Sequence, residues 1–187
     1  KTEDSTIDVI IIVSERWYIW PLPIFEFVDR NINEWLLTKD FSRINYGLYL
    51  VINNFRGRNE TLSLSFRGGY TQRYSLQYTI PYVTKNQREG ISFSISYSRN
   101  HEIAYKTFEN KLVYFKDDDV HVRKEFFTSV QLTFRRKIYT TTIVKVEYDN
   151  LEVSDTIPVL NPNYFNGSNT RQRYLGFTYF YKSDHRD

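Results

Sequence analysis

Apolar and polar residues alternate along much of this chain. In LSLSFRGGYTQRYSLQYTIPYV, residues 62–83, Leu62, Leu64 and Phe66 alternate with Ser63, Ser65 and Arg67. After Gly68 and Gly69 the pattern resumes, with Tyr74, Leu76, Tyr78 and Ile80 set against Arg73, Ser75, Gln77 and Thr79. Ile91, Phe93, Ile95 and Tyr97 alternate in the same way with Ser92, Ser94, Ser96 and Ser98. Period two is the signature of a strand with one apolar and one polar face. Further strands are expected at 24–30, 44–55, near 103–115, at 127–136, 138–153 and 173–184. Turns are expected at 56–60, 84–90 and 117–119, and an irregular loop at 158–169. Residues 31–42 read as a loop with a partly helical middle.

About eight strands therefore follow one another as a meander. No long helical pattern intervenes, so parallel crossovers are not expected. The run IDVIIIVSERW (7–17) is apolar on both faces and reads as a buried strand of a small mixed domain. Pro21 and Pro23 then break the pattern, because proline cannot donate to a ladder. A domain boundary is expected there, giving residues 1–20 to the end of one domain and 21–187 to an all-β unit.

Alternation does not say which face is inside. In a soluble sandwich the apolar face is the core. In a membrane barrel it meets lipid and the polar face lines the lumen. Several of these strands reach about ten residues, whereas soluble strands centre on about five or six and membrane strands need roughly nine to eleven. The polar face carries Ser, Thr, Gln, Asn and Arg rather than the Lys and Glu common on soluble sheets. Both features tilt the reading toward a barrel.

Composition narrows the picture a little further. Hydrophobic residues make up 41% of the 187, and aromatics 18%, with 16 Tyr and 14 Phe. Tyr suits a site that is dry at one end and wet at the other, membrane interfaces included, and it also suits ordinary strands. The net charge of +3, from 25 basic and 22 acidic residues, gives no nucleic-acid footprint. There is no Cys, hence no disulfide frame and no thiol chemistry. There is no Met either, and no signal-like start, so a processed or partial chain is expected. No run approaches the roughly 18 apolar residues of a membrane helix.

Several stretches, in their order along the chain, resemble the Omp85 superfamily of outer-membrane proteins related to BamA. FYKSDHRD (180–187) resembles the D-x-R-D stretch of its barrel, carried here by Asp184, Arg186 and Asp187. YTIPYV (78–83) is similar to a strand end in which proline follows aromatic residues. NNFRGRNETLSLSFRGG (53–69) is similar to its N-x-x-G-x turn and the strand after it. ERWYIWPLPIFEFVDRNINEW (15–35) resembles the passage from the last periplasmic POTRA domain into the first barrel strand. NPNYF (161–165) has a familiar place before the D-x-R-D strand. The resemblance implies a sixteen-stranded antiparallel up-and-down transmembrane barrel preceded by POTRA domains. This chain would hold the end of the last POTRA domain and the N-terminal half of the barrel.

On that reading Leu62, Leu64, Phe66, Leu76, Ile80, Ile91, Phe93 and Ile95 face lipid. Arg67, Arg73, Gln77 and the serines at 92, 94 and 96 face the lumen. Ile24, Phe25, Glu26, Phe27, Val28, Asp29 and Arg30 form the lateral-seam strand, which the resemblance implies can open toward the membrane and template an incoming strand. An ordinary first strand is the alternative. Trp17, Tyr18, Trp20 and Trp35 are candidates for an interfacial girdle or for packing at a domain junction.

No catalytic constellation is visible. His101, His121 and His185 are far apart and read as surface residues, and no metal-ligand spacing occurs. Asp117-Asp118-Asp119 lacks the Gly and Glu of a calcium loop and reads as a solvated turn. Asn59-Glu60-Thr61 and Asn166-Gly167-Ser168 are formal sequons that read as turns. No cofactor and no metal are expected. The implied function is an assembly and insertion factor, not an enzyme, with outer-membrane lipid, unfolded outer-membrane client proteins and accessory assembly subunits as partners. Its place is a bacterial-type outer membrane, with the N-terminal part in the periplasm. A secretion pore of the same superfamily, the barrel of a lipase-fused relative, and a soluble β-sandwich binding module are the alternatives.

Overall fold

The alternating segments pair as the pattern predicts. A computed structural model describes residues 9–28, 41–137 and 139–185. Among them ten strands form two antiparallel sheets. The large sheet contains β1 (Ile19–Phe27), β2 (Ile44–Phe55), β3 (Glu60–Gly69), β4 (Thr71–Ile80), β5 (Glu89–Asn100), β8 (Arg123–Lys137), β9 (Thr140–Val153) and β10 (Arg171–Ser183). Its strand order is β1-β2-β3-β4-β5-β8-β9-β10, an open meander with β1 and β10 at the edges. The second sheet is the hairpin β6 (Glu102–Phe108) and β7 (Lys111–Lys116), inserted between β5 and β8.

The ladders keep the apolar residues in rows. Leu50, Leu64, Leu76, Ile95 and Thr128 stand opposite one another across five strands. Leu62, Tyr78, Phe93, Val130, Val146 and Phe177 form the neighbouring row. Because the side-chain period is two, one row in register puts every other row on the same face.

This apolar face is the exposed one. Phe66, Leu76, Phe93, Ile95, Val130, Leu132 and Val146 are all exposed, whereas Ser96, Ser129 and Asp149 on the opposite face are buried. On β5 the serines are buried or half-buried while Phe93, Ile95 and Tyr97 are exposed. β4 does not discriminate in this way, since both Leu76 and Gln77 are exposed. The sheet is open, so part of its polar face also meets solvent.

The buried apolar cluster lies at one end of the sheet. Ile103, Val122, Val153 and Ile157 pack there, with Tyr105, Phe115, Tyr164 and Phe165 around them. They come from the β6–β7 hairpin, the chain after it, the end of β9 and the connection holding α1 (Thr156–Leu160). Asn161 Nδ2 donates to the Tyr105 carbonyl at 2.5 Å and ties the two parts together. Three of the four connections at this end are long: 28–43, 101–122 and 154–170. The opposite end has the shorter turns 56–59, 81–88 and 138–139.

Four expectations change. The segment 103–115 is a hairpin rather than one strand, because Glu109 and Asn110 both take positive φ (48° and 61°), the backbone of a tight hairpin turn. The loop 158–169 begins with a short helix. No strand forms over the described residues 9–17, where Val9–Val13 are 76–91% exposed. The first strand starts at Ile19, not Ile24, and runs through both prolines. Proline is admitted there because β1 is an edge strand.

Candidate functional site

Among the described residues β1 pairs on one side, with β2. Its nine residues pair with β2, from Ile19 opposite Ile52 to Phe27 opposite Ile44. Asn53 N donates to the Tyr18 carbonyl at 2.8 Å and Val28 N to the Arg43 carbonyl at 3.0 Å. These two bonds fix the phase of the ladder: even-numbered residues of β1 bond to β2, and odd-numbered ones direct their backbone groups to the free edge. Pro21 and Pro23 are odd. On that side Pro21, Pro23 and Phe25 present carbonyls, the Ile19 carbonyl accepts from the Trp17 indole, and the two prolines supply no N–H.

The other edge is different. Val153 N donates to the Thr170 carbonyl at 2.8 Å, so the even residues of β10 bond to β9 and its odd residues face outward. No proline interrupts Arg171–Ser183, and the donor row along that edge is complete.

Of the expected seam residues, Ile24, Phe25, Glu26 and Phe27 lie in β1 and Val28 in the bend after it; Asp29 and Arg30 lie outside the described residues. Phe25 and Phe27 pack edge to face at 5.2 Å on the apolar face. Glu26 points to the polar face, where Arg67 reaches it from β3 at 3.1 Å. The reach crosses β2 at Gly47, which pairs with Ile24 on one side and Arg67 on the other. A Cβ at Gly47 would stand 2.0 Å from the Phe66 carbonyl oxygen, so no other residue fits that crossing without moving the strands.

The expected lipid-facing residues share one face. Phe66, Leu76, Phe93 and Ile95 are exposed, and Leu62, Leu64, Ile80 and Ile91 are half-buried. Arg67, Arg73 and Gln77 share the other face, where Arg67 stands opposite Arg73 and Gln77 opposite Ser63 and Ser94. Sequence reasoning missed the polar groups that join strands on that face. Tyr174 on β10 donates to Asp149 on β9 at 2.9 Å, and along β9 itself Lys145 Nζ meets Glu147 at 2.5 Å. The clue to the Lys145–Glu147 pair was its i, i+2 spacing, which puts both on one face of the strand.

A second missed cluster sits beside the 56–59 turn. Glu60 has no exposed side chain; Arg56 grips it with two bonds, 2.8 and 2.9 Å, and Tyr78 donates to it at 2.5 Å. The same end of the sheet holds a groove with Arg16, Trp17, Tyr18 and Trp20 against Asn53, Asn54 and Asn59. The three aromatics are 42–72% exposed. Trp35 lies outside the described residues. Both sequon asparagines, Asn59 and Asn166, are turn residues at positive φ (58° and 57°).

At the long-loop end, Arg43 Nη1 lies 3.1 Å from Glu102 and its guanidinium covers the Tyr70 ring. Burial, reinforced by Glu102, pushes the Tyr70 hydroxyl up to about 12. His101 and His121 pack ring to ring at 4.0 Å. Burial holds His121 below the usual imidazole value, and His101, Arg99 and Lys124 act in the same direction. Asp117 closes its own turn, its Oδ1 accepting from Asp119 N at 2.9 Å and Val120 N at 3.1 Å. Among the described residues no three His, Cys, Asp or Glu side chains gather as a metal site, and no helix is long and apolar enough to cross a membrane, which says nothing of strands.

A family model described as the Omp85 superfamily domain matches residues 54–187, well over half of the chain. The chain belongs to the Omp85 superfamily. That superfamily consists of outer-membrane assembly and transport proteins, not enzymes. Among solved structures, this Omp85 chain is similar to the crystal structure of BamA from Haemophilus ducreyi lacking POTRA domains 1-3. The identity is 18% and the TM-score 0.43, over 87% of this chain and 28% of that one. The chain thus spans less than a third of the length of that protein. No curated protein matches. β1 lies ahead of the residues the Omp85 model matches. The D-x-R-D stretch lies within them: Asp184 follows β10, its N–H donating to the Tyr139 carbonyl at 2.9 Å, while Arg186 and Asp187 lie outside the described residues.

Proposed function

We propose that this Omp85 chain belongs to a factor that inserts proteins into a bacterial-type outer membrane, by lending the free edge of β1 to an incoming strand. The observation that carries the reading is the phase of β1: Pro21 and Pro23 turn their ring nitrogens away from β2, so a strand closing on that side finds two donors missing. An unpaired edge is a template for another strand. In lipid every backbone group must be satisfied, which makes an opened edge reactive toward an extended client. The partners on this reading are outer-membrane lipid, unfolded outer-membrane proteins and accessory assembly subunits.

The exposed apolar rows would meet lipid and the buried serines would line the lumen. Short turns on the periplasmic side and long loops outside are the rule for such barrels. The N-terminal residues 16–20 sit at the short-turn end of this sheet, so the preceding chain would lie in the periplasm, where the end of a POTRA domain belongs.

Cysteines at one β1 position and on the strand that closes the full barrel test the mechanism. The disulfide is expected to stop client assembly while the protein stays folded, and reduction is expected to restore it. Full activity of the locked protein would remove templating. A secretion pore is the second reading, favoured by the polar face; it predicts that locking leaves transport of the exported partner intact.

A further inference from the structure

The ladder between β8 and β9 skips one residue just before their turn. Arg135 stands opposite Thr141 and Lys137 opposite Thr140, leaving Arg136 over. Such a bulge re-aims side chains. Thr140 shares the face of Thr142 and Val144, so its partner Lys137 is moved onto the exposed apolar face. Arg136 lines the same groove, about 510 Å³, beside Phe134, Val144, Tyr179 and Tyr181.

The chemistry along this groove changes in one direction. Val146 lies opposite Phe177, Val144 opposite Tyr179 and Thr142 opposite Tyr181, and then come the two cations. Apolar rows, then phenols, then positive charge is the order met on passing from hydrocarbon to headgroup. Tyr179 and Tyr181 are 62% and 56% exposed. Neither Arg136 nor Lys137 makes a side-chain ion pair among the described residues, whereas Lys182 close by is paired with Asp184. The one carboxylate facing this rim from β5, Glu89, borders the adjacent groove together with Arg88, Arg135 and Arg136.

We propose that this groove holds the phosphate of an anionic phospholipid in the leaflet at the short-turn end. Arg136 and Lys137 take the phosphate, the tyrosines sit at glycerol depth, and an acyl chain lies along Val144 and Val146. The proposal rests on the reading that the apolar face meets lipid. Each cation near an anionic surface contributes about fivefold in affinity.

The test uses the full-length protein in bilayers doped with spin-labelled phosphatidylglycerol or phosphatidylcholine. The expected result is preferential restriction of phosphatidylglycerol that fades with salt. In R136Q/K137Q the preference falls to near parity, with phosphatidylcholine unchanged, and in R136K it is kept. Equal restriction of both lipids by the natural protein would overturn the site, as would a preference untouched in the double variant. Displacement by inorganic phosphate as effective as by lipid would also overturn it, marking a free-anion site. Should the double variant not fold, K137Q alone and the salt series decide. Restriction of neither lipid would instead overturn the lipid-facing reading beneath it.

Discussion

Pro21 and Pro23 stand two residues apart on β1, opposite Leu50 and Leu48, with both ring nitrogens on the side away from β2. A partner strand laid there could donate to their carbonyls but would find no N–H for its own. Toward the long-loop end Phe25 restores a donor to that side. A seam closed on this side is expected to be weakest where the two prolines stand.

Replacing both prolines with alanine in the full-length protein returns two donors to that edge. At about 0.5–1.5 kcal/mol per bond, the closed seam should tighten by roughly 1–3 kcal/mol. Amide exchange along β1 should slow and client assembly should slow with it, while global stability holds. Unchanged exchange and assembly would mean the edge does not set the rate.

The glycine crossing under Arg67 should be intolerant. Gly47→Val places a Cβ against the Phe66 carbonyl, and overpacking of this kind costs on the order of 1–3 kcal/mol. Reduced midpoints in urea-driven unfolding from lipid, with loosened β1–β2 pairing, are expected. Glu26→Gln, which removes only an exposed ion pair, should cost less than about 1 kcal/mol.

Acid should loosen the long-loop end. His121 is held below the ordinary imidazole value of about 6.5, so the packed loop binds its proton less readily than the open loop. Packing is at full strength above that ordinary value. It weakens as pH falls through it toward the lowered value, because only the open form takes up the proton readily. The charged groups around the ring, Arg99 on β5 and Lys124 on β8, add to the cost of a further positive charge there. Amide exchange of residues 101–122 should quicken on acidification, and His121→Phe should flatten the response.

Much of this architecture was legible because a two-residue period is hard to mistake. Leu64, Leu76 and Ile95 stand in one ladder row, as their spacing within separate strands required. The Glu109–Asn110 hairpin was not legible, since it lacks the glycine that usually marks such a turn. Nor was the start of β1. Proline reads as a break in sequence, and only the hydrogen-bond phase reveals that both rings sit where no donor was needed. The polar contacts of the site were hidden for another reason. Arg67 meets Glu26 across an intervening strand, and Tyr174 meets Asp149 on the neighbouring one; neither link follows from local spacing.

Charge on the two faces should be felt unequally. Arginine at Leu76 or Phe93 should cost about 2–4 kcal/mol in lipid if the position is near midplane, and arginine at Gln77 or Ser94 much less. Folding titrations into vesicles would measure both, and equal costs would contradict the assignment.

The central claim is that the exposed apolar face meets lipid, and the absence of native cysteine makes it directly measurable. Single nitroxide-labelled cysteines at neighbouring positions 76 and 77, and 93 and 94, in the full-length protein in bilayers should report alternating environments. Labels at 76 and 93 should be relaxed by oxygen dissolved in the membrane, and those at 77 and 94 by a water-soluble nickel chelate. Reversed accessibility, or water access at all four positions, would contradict the account.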